Sequence, residues 1–378
     1  MKNISKSWLE QLQKITLVVA DTGDVRAIEN FKPQQATTNS SLIAAAQMPE
    51  YRDIVNQILL QAKQEAGLGA TVDKIITLAF DRLTIWFGQK ILAIIPGWVS
   101  TEIDARLCYD TEAIIAKARY LISLYEAASI SRERVLIKIA STWEGIRAAE
   151  VLEKERIYCH LNLLFGLHQA IACAEAGVTL VSMMVGRTVN WFKKETGRKC
   201  YPAAKDPGVL SVRQVYNYYK KFGYQTQIMV RGFCSIDQIA ELAGCDMLAI
   251  SPVLLQKLQL IKAELPRKLD SALAAKVHIR KIHLDKQTFY QIHQADRMAY
   301  QKLEENIVGR SKAVIALEKL LAERLEYLMS TSKNSCVPEN LFRVCDLNGN
   351  GFITRTEWGG TDAVFLCSRC EQRSNHNS

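Results

Sequence analysis

The hydrophobic pattern of the first 260 residues switches between two periods. Short apolar runs alternate with longer stretches in which apolar residues recur every three to four positions. The first kind predicts buried strands and the second amphipathic helices. Strands are expected at residues 16–21, 36–39, 97–104, around Lys138, 158–165, 178–185, 226–231 and 246–251. Helices are expected at 41–46, 51–64, 72–92, 110–128 behind Asp110 as a cap, 143–155, 167–176 before Gly177, 188–196, from Ser211 to before Gly223, 236–243 and from Val253. Eight strand-then-helix units in one domain predict a (β/α)₈ TIM barrel rather than an open doubly wound sheet. The open sheet would need a glycine-rich dinucleotide fingerprint after the first strand, and the sequence has none there.

After the barrel, expected over residues 1–283, residues 284–330 carry an almost unbroken helical pattern. Val314, Leu317, Leu320, Leu321, Leu325 and Leu328 form an apolar stripe. The stripe should pack on the barrel, a second subunit of a homodimer being the other partner it would fit. A polar linker at 330–336 opens a small appendage over 331–365, and the tail at 366–378 has no helical period and is expected to be disordered.

One strand residue breaks the apolar rule. Lys138 sits between Ile137 and Ile139, where an ammonium is costly to desolvate. It either snorkels from an edge strand or is used as a neutral nucleophilic amine able to form a Schiff base. In a barrel, chemistry sits at the C-terminal strand ends, and Asp21, Asn39, Glu102, Lys138, His160, Asn162, Ser182 and Arg187 all fall at or near them. That convergence favours an active site over polar residues that merely end strands.

Composition adds limits. Hydrophobic content of 48% and charged content of 23% are those of a water-soluble globular chain. No apolar stretch is long enough for a membrane span, no signal core follows Met1, and a cytoplasmic protein is expected. The net charge of +9 is scattered, without basic runs interleaved with aromatics, which argues against nucleic acid and fits anionic metabolites. The ten cysteines show no framework spacing, and the lone pair Cys367 and Cys370 reads as incidental.

A separate motif lies at residues 346–357. Asp346, Asn348 and Asn350 offer side-chain oxygens, Gly351 the turn, Phe352 its carbonyl, Thr354 a water-mediated contact and Glu357 a bidentate carboxylate. This is the EF-hand spacing, so Ca²⁺ is the expected ion; two asparagines in place of aspartates reduce the charge of the site.

The barrel segments also resemble the transaldolase family, over roughly residues 8–328. The resemblance rests on 18–24, 36–39, 100–107, 136–143 around Lys138, 185–187 and 206–208, and the C-terminal EF-hand is similar to that of the family's cyanobacterial branch. It implies a Schiff-base enzyme with no cofactor for catalysis. Such an enzyme moves a dihydroxyacetone unit from sedoheptulose 7-phosphate or fructose 6-phosphate to an aldose phosphate. By the same resemblance Lys138 is the nucleophile, Asp21 the base at the breaking bond, and Glu102 a general acid/base acting through water. Asn162 stands where a threonine usually helps place that water. Thr37, Asn39 and Ser182 line the dihydroxyacetone part, Arg187 takes the phosphate, and His160 is a polar wall residue. Several positions depart from the family pattern: Ser40 replaces proline, His160 asparagine, Asn162 threonine, Met184 an aromatic, and Gly232 and Cys234 a serine and a second phosphate arginine. Arg231 is expected to have the wrong strand parity to replace that arginine. The alternatives are an aldolase acting without an acceptor and a catalytically weak barrel kept as a calcium-binding or structural protein.

Overall fold

The computed structural model describes residues 6–21, 36–37, 49–334, 352–353 and 365–366. Eight parallel strands form one curled sheet: β1 (Leu17–Ala20), β2 (Ala36–Thr37), β3 (Val99–Glu102), β4 (Val135–Ala140), β5 (Cys159–Leu164), β6 (Leu180–Met184), β7 (Gln227–Arg231) and β8 (Met247–Ile250). Their order is β1-β8-β7-β6-β5-β4-β3-β2, which leaves β1 and β2 at the two ends and is consistent with a TIM-barrel-like fold.

The helices between strands form because apolar residues recur on one face and polar caps end them. The helix Val72–Leu92 has the bounds its pattern predicts, capped by the Thr71 side chain. Thr111–Ala127 is capped by Asp110, whose carboxylate accepts the Ala113 N–H. Two starts differ from expectation. The cap assigned to Ser211 belongs to Asp206, which accepts from Gly208 and Val209 N–H, and Pro207 at the first helical position starts the helix Pro207–Lys221. The helix after β6 is Val185–Thr196, so Arg187 lies in its first turn.

The C-terminal stripe packs on the same chain. The helix Arg297–Asn334 places buried Leu317, Leu321 and Leu325 against Val55, Ile58, Leu59, Ile76 and Leu83 of the two long helices that precede β3. Its N-terminal half sets Met298, Ala299, Leu303 and Ile307 on Leu163 and Phe165 at the end of β5. The helix runs on to Asn334, through the start of the expected polar linker, because Ser330, Thr331 and Ser332 cost a helix little when no glycine or proline interrupts it. His293, on the preceding helix Lys286–Ala295, meets His168 at 2.9 Å in a buried pair. Burial drops His168 to about 3, aided by His293, so the pair is neutral at physiological pH. The expected helix at 41–46 and most of the EF-hand segment lie outside the described residues. Phe352–Ile353 forms an antiparallel pair with Phe365–Leu366, so Leu366, first residue of the expected tail, lies in a strand. Among the described residues no helix is long and apolar enough to cross a membrane.

Candidate active site

Strand periodicity builds the site. One apolar cluster, Val19, Leu136, Leu180, Met229, Met247 and Ala249, fills the inside of the curled sheet, with Trp98 and Tyr158 packed against it. Side chains two positions further along a strand point the same way. Asp21, Lys138, Ser182 and Arg231 therefore stand one step above Val19, Leu136, Leu180 and Met229. Ser100 and Glu102 follow Trp98, and His160 and Asn162 follow Tyr158. Register brings Glu102, Lys138 and His160 side by side on three neighbouring strands.

Lys138 is fully buried, so it does not snorkel to solvent. Its Nζ lies 3.6 Å from a Glu102 carboxylate oxygen and has no hydrogen-bond partner among the described residues. Burial pushes the amine down to about 7; the Arg231 guanidinium adds to the shift, Asp21 opposes it, and Arg187 adds slightly. A large share of the amine is thus unprotonated at neutral pH, as a nucleophile for a carbonyl requires.

Glu102 is held from several sides. Asn162 Nδ2 donates to its Oε1 at 3.2 Å, and Arg310 from the long C-terminal helix forms an ion pair with it. Burial lowers the Arg310 guanidinium to about 10, so it stays a cation at neutral pH. Asn162 Oδ1 and His160 Nε2 are buried and have no partner among the described residues. His160 Nδ1 meets Ser100 Oγ at 2.9 Å. Burial keeps this histidine well below the usual range, reinforced by Lys138 and Arg231. It is a neutral wall group and not a cation. The β5 backbone beyond Asn162 is unusual: the pairing with β6 shifts between Leu161 and Leu164, and Leu163 has φ +57°. A left-handed leucine is strained and needs its surroundings to hold it. Ser141 N–H and Oγ–H donate to the Asn162 carbonyl at 2.8 and 2.7 Å, and Gln169 Nε2 donates to the Leu163 carbonyl at 3.2 Å.

On the opposite wall Arg231 pairs with Asp21 at 2.5 Å. Arg231 follows Met229 of the inner cluster by two residues and so faces the mouth with its guanidinium engaged by Asp21, while Gly232, with φ of +70°, breaks the alternation before position 234. Arg187 is lowered by burial and by Arg231 nearby, with Glu305 opposing. Gly186 lets the two walls meet. Its N–H donates to the Gly232 carbonyl at 2.9 Å, and a Cβ there would sit 2.4 Å from that oxygen and 3.0 Å from Cys234 Sγ. Cys234, the position without the second arginine, therefore borders the Arg187 turn.

Of the residues singled out in the sequence, Asp21, Glu102, Lys138, His160, Asn162, Ser182 and Arg187 fall on this one mouth. Thr37 pairs with Ser100 in backbone register. Asn39 and the calcium positions Asp346, Asn348, Asn350 and Glu357 lie outside the described residues, and Phe352 is described only as part of its short strand. Arg310 was not foreseen, since a cation on an amphipathic helix has no local signature. No group of three or more metal-ligating side chains occurs among the described residues.

A curled parallel sheet with a buried lysine of lowered pKa beside a carboxylate defines a class: barrel-like enzymes equipped for amine–carbonyl chemistry. Residues 18–321 match the Transaldolase/Fructose-6-phosphate aldolase family, and the chain belongs to it. It is 62% identical to a transaldolase of Gloeobacter violaceus, over 95% of this chain and 92% of the relative. It is 66% identical to one of Nostoc punctiforme, over 85% of this chain and 97% of the relative, and 61% identical to one of Methylococcus capsulatus, over 86% and 99%. The activity is that of a transaldolase.

Proposed function

We propose that the chain transfers a dihydroxyacetone unit from fructose 6-phosphate or sedoheptulose 7-phosphate to an aldose phosphate through a Schiff base on Lys138, with no cofactor. The carrying observation is the fully buried Lys138 amine beside Glu102. Lys138 Nζ attacks the ketose C2 carbonyl, giving a carbinolamine that loses water to form an iminium ion. Glu102, with Asn162, handles the water and its protons; the buried, unpartnered Asn162 Oδ1 is placed to accept from that water. Asp21 takes the proton from the C4 hydroxyl as the C3–C4 bond breaks, and the aldose phosphate leaves. The electron pair passes into the iminium as an enamine. This attacks the aldehyde of the acceptor, and water then frees Lys138 and the new ketose. Ser182, with Thr37 and Asn39, binds the three-carbon unit; His160 is part of the wall. Arg187 takes the phosphate, suited by its planar fork.

This reading includes closure of the sheet into a complete (β/α)₈ barrel through β1 and β2, and a cytoplasmic setting where sugar phosphates are found. A coupled assay with fructose 6-phosphate tests it. Glyceraldehyde 3-phosphate should appear rapidly only when erythrose 4-phosphate is present; equal release without an acceptor would mark a simple aldolase.

The EF-hand segment is proposed to bind one Ca²⁺ through Asp346, Asn348, Asn350, the Phe352 carbonyl and Glu357. Support comes from the ligand spacing. In calorimetry with millimolar calcium the chain should release heat with a stoichiometry of one, and Glu357→Gln should abolish it. No heat from the unsubstituted chain would remove the assignment.

A further inference from the structure

Arg231 has no role in the mechanism above, although it is as much part of the mouth as Lys138. It stands one strand step above Met229, just as Lys138 stands one step above Leu136, and Met229 and Leu136 belong to the same inner cluster. The two side chains therefore enter the site at one level from β7 and β4. The Arg231 guanidinium holds the Asp21 carboxylate at 2.5 Å, and only about an eighth of the arginine side chain is exposed (13%). Its Nε is buried and has no partner among the described residues. Asp21 follows the last residue of β1 and has left the ladder except for its own N–H, which donates to the Ile250 carbonyl at 2.9 Å. Among the described residues, the side-chain contact to β7 is thus what holds the carboxylate at the mouth.

We infer that Arg231 is a positioning residue of the transfer reaction: it anchors Asp21 and keeps a fixed cation facing Lys138, so that the amine is free to attack at neutral pH. The inference rests on the Schiff-base reading of Lys138. Among the described residues, the charged and titratable groups that face this amine include Glu102 from β3, itself paired with Arg310 of the C-terminal helix, and neutral His160 from β5. Arg187 faces it from the turn after β6, Arg231 from β7 and Asp21 from the end of β1. Removing Arg231 has two effects of one sign. A cation that disfavours the ammonium is lost, and Asp21 is left as an uncompensated anion that favours it. Both protonate Lys138 further at a given pH. The same cation near the site also offers a reason why this chain tolerates cysteine at position 234, because positive charge at the mouth is retained at the end of β7, three residues earlier.

The test is the pH dependence of the initial rate at which borohydride traps fructose 6-phosphate on Lys138, in the full chain. In Arg231→Met the midpoint should rise by about one pH unit, from about 7, which lowers the trapping rate at pH 7 roughly fivefold. Arg231→Lys keeps a cation and should stay within a few tenths of a unit of the unsubstituted chain. Asp21→Asn removes the opposing anion and should shift the midpoint down, which gives a second test in the opposite direction should the methionine variant not fold. An unmoved midpoint in Arg231→Met, with the adduct still forming, overturns the inference and leaves the Schiff-base reading intact. No adduct in the unsubstituted chain at any pH overturns both.

Discussion

Lys138→Met should abolish turnover, by roughly ten-thousand-fold or more, while leaving the protein as stable as before or slightly more stable. Loss of a covalent nucleophile removes the reaction path itself, and the remaining groups supply only binding and polarisation. Stability should follow the opposite logic from an ordinary core substitution. Lys138 is fully buried and its Nζ has no hydrogen bond among the described residues, so its charged form is a cost to the folded state. Methionine fills nearly the same volume without that cost. Glu102 is not left alone, because Arg310 and Asn162 still contact it. Assay of fructose 6-phosphate turnover together with a thermal melt checks both halves. A variant that loses activity only because it unfolds would contradict this description of the site.

The second large effect concerns phosphate. Arg187→Ala should raise the KM for ketose phosphate by about 10- to 100-fold with little change in kcat. Loss of a hydrogen bond to a charged group costs roughly 1.5–3 kcal/mol, and the contact is made equally to ground and transition states. Cys234→Arg should act in the reverse direction and lower KM by up to about tenfold, equivalent to about 1.4 kcal/mol. The cysteine is exposed and borders the turn that carries Arg187, so a longer cation there can reach the same anion. Steady-state kinetics of both variants settles the point; an unchanged KM in Arg187→Ala would move the phosphate elsewhere.

Much of this site could be read from local pattern. The alternation of strand and helix periods located β3 to β8 to within two residues at almost every end, because each strand is buried on both faces and each helix on one. Lys138 stood out because a charge inside such a strand has few physical explanations. The less legible features depend on contacts between distant segments. Arg310 gains its meaning only when the C-terminal helix crosses the end of β5, and its own surroundings in the sequence resemble any solvated helix face. Arg231 likewise takes its meaning from a partner far away in the chain, Asp21, and a positive φ at Gly232 separates it from position 234. The bulge at Leu163 had no signal either: leucine is an ordinary strand residue, and its left-handed backbone is held by Ser141 and Gln169 from neighbouring elements. The cap at Asp206 was legible, since an Asp-Pro pair is a strong helix start, and Ser211 drew attention from it.

The central claim is that Lys138 carries the substrate covalently. Incubation with fructose 6-phosphate, reduction with borohydride and peptide mass mapping measures this directly. A dihydroxyacetone-derived, three-carbon adduct is expected on the peptide that contains Lys138 and on no other, absent from Lys138→Met. An unmodified Lys138 peptide under saturating substrate, or an adduct on a different lysine, would contradict it.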